Sequence, residues 1–202
     1  CKGSTTMKDI YQFIQNYTPY NEQEEKDKNL ILQQLSTDNI LTRKNLVAHL
    51  TVSAWIVSPD FKKVLMAFHR IYQSFAWLGG HLDGNADIVA VIRKEIQEES
   101  GLSEFQLIED QLFSLEVLTV DGHVKNGEYV SSHLHLNLTF LCIANPDLPI
   151  RIQPSENSQI AWLAVDKISQ SVSEVWFMKH IYQKLIDKVK LLEGESSCAS
   201  SN

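Results

Sequence analysis

The chain has 202 residues, 44% hydrophobic and 21% charged, with 25 acidic against 18 basic residues and a formal net charge of −7. That length buries a sizeable core and suits one domain with added elements, and the ordinary composition excludes a fibrous repeat or a disordered polymer. The acidic balance without a basic patch argues against a nucleic-acid partner, and no apolar run approaches the roughly 18 residues that span a bilayer.

Residues 1–45 read as an N-terminal helical extension. Ile10, Ile14 and Tyr17 share a helical spacing, Thr18-Pro19 breaks the chain, and Asn21 with Glu24 resembles a helix-opening cap before Leu30, Ile31 and Leu35. From His49 the texture changes to strands. His49 to Val57 and Lys63 to Phe68 flank the turn Ser58-Pro59-Asp60 and predict a hairpin. Trp77-Leu78-Gly79-Gly80 leads into a loop, and a helix is predicted near Asp87 to Ser100, closed by Gly101. Further strands are predicted at Leu112 to Val120, His133 to Ile143 and Gln159 to Ala164. The long one sets Leu134, Leu136, Leu138, Phe140 and Cys142 on one face and His133, His135, Asn137 and Thr139 on the other. Ser173 to Leu192 predicts an amphipathic helix with Val175, Met178, Tyr182, Leu185, Val189 and Leu192 inward. The domain proper is expected over 46–192, and the Ser-rich tail 193–202 is expected to be disordered. Strands and helices in this order predict an α/β fold, a mixed sheet covered by helices.

Cys1, Cys142 and Cys198 are an odd, scattered set without metal-type spacing, which suits a reducing compartment. Residues Cys1 to Asp9 lack the apolar core of a signal peptide, so a cytoplasmic protein is expected.

The segment Gly80 to Leu102 carries the chemistry. At about 100° per residue, Glu95, Glu98 and Glu99 share an arc of roughly 100° on one helix face, and Ile88, Val91 and Ile92 fall on or near it. A solvated helix places its acids opposite its apolar stripe, whereas acids that continue the stripe must be paired, protonated or bound to a cation. Oxygen donors favour Mg²⁺ or Mn²⁺ over zinc. The alternative at this level is an acidic exposed helix end.

These residues resemble the Nudix box, Gly, five residues, Glu, seven residues, then Arg-Glu-aliphatic-x-Glu-Glu-x-Gly-aliphatic. Gly80 begins it, and Lys94-Glu95-Ile96-Gln97-Glu98-Glu99-Ser100-Gly101-Leu102 completes it in register. Trp77 to Asp83, with Gly-Gly-His-Leu-Asp, and His49-Leu-Thr look similar to a bacterial subgroup with an N-terminal helical extension. The resemblance implies a Nudix-type α/β/α sandwich and hydrolysis of a nucleoside diphosphate linked to another moiety. It further implies Glu98 and Glu99 as Mg²⁺ or Mn²⁺ ligands, Glu95 as a ligand or water-activating base, and the Gly79 carbonyl as a ligand. Two positions depart from the box: its first Glu falls on Ala86 and its Arg on Lys94, with Asp87 and Arg93 one position away from each. Lysine neutralises a glutamate but lacks the rigid fork that orients it.

Substrate contacts are expected among His81, Arg70, Glu128, His133, His135 and Glu156. The competing readings are an exposed acid for Glu128 and Glu156, a polar sheet face for His133 and His135, and loop packing for His81. The expected partner is a small nucleotide-like diphosphate, with neither nucleic acid nor membrane, and a homodimer is compatible. Two rivals share the fold: a nucleotide-binding sensor without turnover, supported by Ala86 and Lys94, and an isopentenyl-diphosphate-isomerase-like enzyme. The latter needs a catalytic cysteine, and Cys142 is expected on an apolar strand face.

Overall fold

The structure is a computed structural model and describes residues 6–70, 73–125, 127–154 and 157–199, with side chains to residue 194. The chain divides into two compact units, Cys1–Ala54, Gly79–Glu95 and Ile108–Phe140 in the first, and Trp55–Leu78, Ile96–Leu107 and Leu141–Asn202 in the second. No helix among the described residues is long and apolar enough to cross a membrane.

The first unit opens with helices α1 (Met7–Asn16) and α2 (Glu22–Gln34). The expected cap is present: the Asn21 side chain accepts from the Glu24 amide at 3.0 Å. Ile10, Ile14 and Ile31 are buried, as the helical spacing requires. The strands of this unit are most of β1 (Ala48–Val57), β4 (Leu78–His81), β6 (Ser114–Val120) and most of β9 (His133–Ile143). Strand β4 pairs with β1, and β6 runs antiparallel to β9 from Ser114↔Thr139 to Val120↔His133. The turn-rich stretch after Val120 contains a small hairpin of its own, β7 (His123–Lys125) against β8 (Glu128–Val130).

The alternation expected in β9 is present, but its polar face is not solvated. Asn137 and Thr139 are buried together with Glu116 and Glu24. Asn137 Oδ1 accepts from the hydroxyls of Thr51 and Ser53, both at 2.9 Å, and its amide donates to Glu116 Oε2 at 3.1 Å and Thr139 Oγ1 at 3.0 Å. Ser114 Oγ bridges Glu116 and Glu24, and Tyr17 donates its hydroxyl to Glu24 at 2.6 Å. The network ties the helical extension to β6 and satisfies polar groups that are costly to bury alone. Tyr17 is held far above the usual phenol range, first by burial and then by the Glu24 carboxylate.

In the second unit β2 (Lys63–His69) pairs with the end of β1 through Ile56↔Leu65 and Val57↔Val64, the predicted hairpin. On β2 lie β3 (Ser74–Ala76) and β10 (Asn157–Ala164), and β5 (Gln106–Leu107) pairs with the end of β9. Short helices α4 (Ile168–Ser171) and α5 (Val175–Phe177) precede a π-turn at Met178–Tyr182 and α6 (Gln183–Ala199). Ile181, Tyr182, Leu185, Ile186 and Val189 are buried, whereas Val175 is 77% exposed. The wider π-turn shifts the register, so the inward stripe begins later than a straight helix predicts. The last helix runs past Leu192 to Ala199, through most of the expected tail, with no proline to stop it.

Candidate active site

The helix carrying the glutamates is α3 (Ile88–Ser100). Asp87 opens it: its carboxylate accepts from the Ala90 amide at 3.0 Å, and its own amide donates to Asn85 at 2.9 Å. The acid beside the missing box glutamate thus serves as a helix cap, where a carboxylate is favoured by the helix dipole. Gly101 ends the helix with φ +70°, its amide on the Gln97 carbonyl at 2.9 Å.

Ile88, Val91, Ile92 and Ile96 are buried along one face, and Glu99 lies with them at 7% exposure. Glu95 is half-buried and Glu98 exposed. The expected inward arc therefore holds for two of the three acids. Glu98 stands at its edge, roughly 60° from Glu95 and roughly 100° from Glu99.

Glu95 and Gly80 meet closely. A Cβ added at Gly80 would come within 2.6 Å of Cδ and Oε2 of Glu95, so the carboxylate rests where any side chain would stand. Gly79 faces β1 instead: a Cβ there would overlap the Val52 carbonyl and lie 2.7 Å from Ser53 Cα. The two glycines have separate tasks, one admitting the carboxylate and the other letting β4 close on β1. The loop beyond them is held by the extension's connector, through Gly84 N to the Leu41 carbonyl at 2.9 Å and Arg43 to Asp83 at 3.0 Å. Arg93, the arginine displaced by one position from the box, pairs with Glu109.

The histidines form a group that spacing could not reveal. His81, His133 and His135 come together with His49, and all ring centroids measured from His49 to the other three lie 5.0–5.1 Å away. Burial pushes His81 down to about 2 and His135 to about 3, with neighbouring histidines and Arg43 acting the same way. His49 is lowered as well, again first by burial.

The remaining expected contacts lie elsewhere. Arg70 is exposed after β2, and Glu128 is exposed on β8 opposite Lys125. Glu156 falls outside the described residues. Trp77 is core, packing edge-on to Phe177 and Tyr182, and Cys142 is buried on its strand.

A family model described as NUDIX domain matches residues 47–185. The chain is similar to a C. elegans Ap4A hydrolase solved as a binary complex, at 14% identity over 72% of this chain and 98% of that one, with a TM-score of 0.53. It is also similar to the E. coli dihydroneopterin triphosphate pyrophosphohydrolase, at 17% identity over 68% and 95% of the two chains, with a TM-score of 0.52. At these identities the structural likeness speaks for the fold alone, the expected α/β/α type. No curated protein matches the chain.

Proposed function

Because this chain belongs to the NUDIX domain family, hydrolases of phosphoanhydride bonds in nucleoside diphosphate derivatives, we propose that it cleaves such a bond in a nucleoside diphosphate joined to another moiety, using Mg²⁺ or Mn²⁺. The observation that carries this reading is the Glu95 carboxylate seated against Gly80, within 2.6 Å of where a Cβ would stand. The donor set fits a hard cation, since it consists of the Glu95, Glu98 and Glu99 carboxylates and the Gly79 carbonyl, all oxygen. When bound, the cation neutralises the diphosphate and polarises its phosphorus.

The chain's own residues supply the rest. Glu99, buried on the apolar face, and Glu98, at its edge, are the carboxylates that would hold the cation. Glu95, its carboxylate seated against Gly80, is the group we assign to take a proton from the attacking water. Water oxygen bonds to phosphorus as the bridging P–O bond breaks, and the leaving phosphate departs with the electron pair. Lys94 offers a point charge in place of the box arginine, without the rigid fork a guanidinium would present to a carboxylate.

The test is a panel of nucleoside diphosphate derivatives incubated with the chain and Mg²⁺ or Mn²⁺, read by product identity. Metal-dependent release of a nucleoside monophosphate or phosphate is expected, and Glu99→Gln should reduce it by about 10²-fold or more. Absence of turnover across the panel, or an intact rate in Glu99→Gln, defeats the proposal. Thermal stabilisation by a nucleotide without product would indicate a sensor instead.

A further inference from the structure

We propose that His49, His81 and His135 form a second metal centre, one for a divalent transition-metal ion of the Zn²⁺ type, distinct in donor chemistry from the carboxylates of α3. The inference does not depend on the hydrolase reading. It rests on how the imidazole nitrogens are arranged in the first unit, where β1, β4 and β9 bring these rings together.

One ligand nitrogen from each of His49, His81 and His135 lies within 4.8 Å of the other two. The Nε2 atoms of His81 and His135 are 3.3 Å apart, and those of His133 and His135 are also 3.3 Å apart. Nitrogens bound tetrahedrally to zinc at about 2.0–2.1 Å stand roughly 3.3 Å from one another. The His81–His135 spacing is therefore that of two ligands on one ion, and the His49 nitrogen lies within 4.8 Å of both.

Hydrogen-bond accounting points the same way. His49 Nδ1 faces the Asn45 carbonyl at 3.1 Å, and His133 Nδ1 faces the Ser131 carbonyl at 2.8 Å. A carbonyl only accepts, so both rings carry their proton on Nδ1 and present a lone pair at Nε2. His49 is 3% exposed, and its Nε2 has no hydrogen-bond partner. A buried lone pair without a donor is costly in a neutral pocket and is what a cation would use. The lone pair of His133 faces Nε2 of His135, whose single proton serves one of its two nitrogen neighbours but not both. Protonating more rings would place like charges together in a pocket already bordered by Arg43 and Lys125. A metal ion would take the lone pairs of His49, His81 and His135 together.

The carbonyl partners at Nδ1 are also the outer-shell arrangement that fixes the tautomer of metal-binding histidines. Imidazole nitrogen selects zinc and similar ions over Mg²⁺, which takes oxygen. Three histidines would leave one position for water or a ligand, with His133 beside it.

The experiment uses the full chain, stripped with chelator, dialysed, and titrated with Zn²⁺ alone, Co²⁺ alone and Mg²⁺ alone. We expect about one equivalent of Zn²⁺ retained after dialysis, intense visible bands of tetrahedral Co²⁺, and a melting temperature raised by Zn²⁺ but not by equal Mg²⁺. His81→Gln and His135→Gln should each weaken Zn²⁺ binding by about tenfold or more, while Glu99→Gln keeps it. That last variant separates this centre from the carboxylate site. The proposal is overturned if the wild-type chain retains no Zn²⁺ and shows no Co²⁺ bands, or if both histidine variants bind as the wild type does. Should His135→Gln fail to fold, His81→Gln at its half-buried position and the wild-type Co²⁺ spectrum decide the matter.

Discussion

Gly80→Ala isolates the contact on which the active-site reading turns. The added methyl carbon would lie 2.6 Å from Cδ and Oε2 of Glu95 and 3.0 Å from Oε1. Ordinary contact between such atoms begins near about 3.4 Å, so the carboxylate must retreat by about 0.8 Å. The clash meets the free end of a side chain, so the fold should absorb it at a cost of about 1 kcal/mol or less. Catalysis should not. A misplacement of about 1 Å costs on the order of 10²-fold in rate, or about 2.7 kcal/mol in the barrier. Initial rates with saturating Mg²⁺ and a thermal melt measure the two effects separately: kcat falls by about 10²-fold while Tm moves by only a few degrees. Gly79→Ala is the internal contrast, because its methyl meets the backbone of Val52 and Ser53, and it should lower Tm sharply. A Gly80→Ala enzyme with a wild-type rate would refute the placement of Glu95.

Two further outcomes follow from buried groups. Asn137→Ala removes four hydrogen bonds, to Thr51, Ser53, Glu116 and Thr139, and strands several buried partners. At about 1–3 kcal/mol for each unsatisfied group, a loss of about 3 kcal/mol or more and a Tm drop of about 6–12 °C are expected, and a drop under about 2 °C would contradict the network. In the chelator-treated chain His49, His81 and His135 are all held below their ordinary value of about 6.5. The unfolded chain therefore binds more protons below that pH, so stability is complete above about 6.5 and is lost as pH falls, by up to about 1.4 kcal/mol per unit for each histidine. Urea unfolding between about pH 7.5 and pH 5.5 should show this loss, and His135→Gln should lose about 1.4 kcal/mol less than the wild type over that window, roughly 0.7 kcal/mol per unit; an unchanged slope in that variant would rule the mechanism out.

Much of the fold was legible because its signals are local. The hairpin turn at Ser58, the Asn21 cap, the alternation from His133 to Ile143 and the closing Gly101 each depend on residues within a few positions of one another. Errors arose where a local pattern met a distant neighbour. Asn137 and Thr139 read as part of a polar strand face, and only the fold shows that Thr51, Ser53 and Glu116 arrive from other strands and that this face is buried. Asp87 stands one position from where the box glutamate falls, and it is a helix cap, a role its position before Ala90 would have identified. Val175 read as inward-facing until the π-turn altered the helical phase.

The amino-acid sequence by itself determined the carboxylate helix: Glu95, Glu98 and Glu99 share a face because about 3.6 residues make a turn, and Gly80 and Gly101 punctuate it. Which of the three is buried, and that Gly80 exists to admit Glu95, was decided only when the glycine strand and the helix packed together. The histidine group lies wholly on that side. His49, His81 and His135 come from three strands distant in the chain, and strand pairing brings their nitrogens within 4.8 Å of one another.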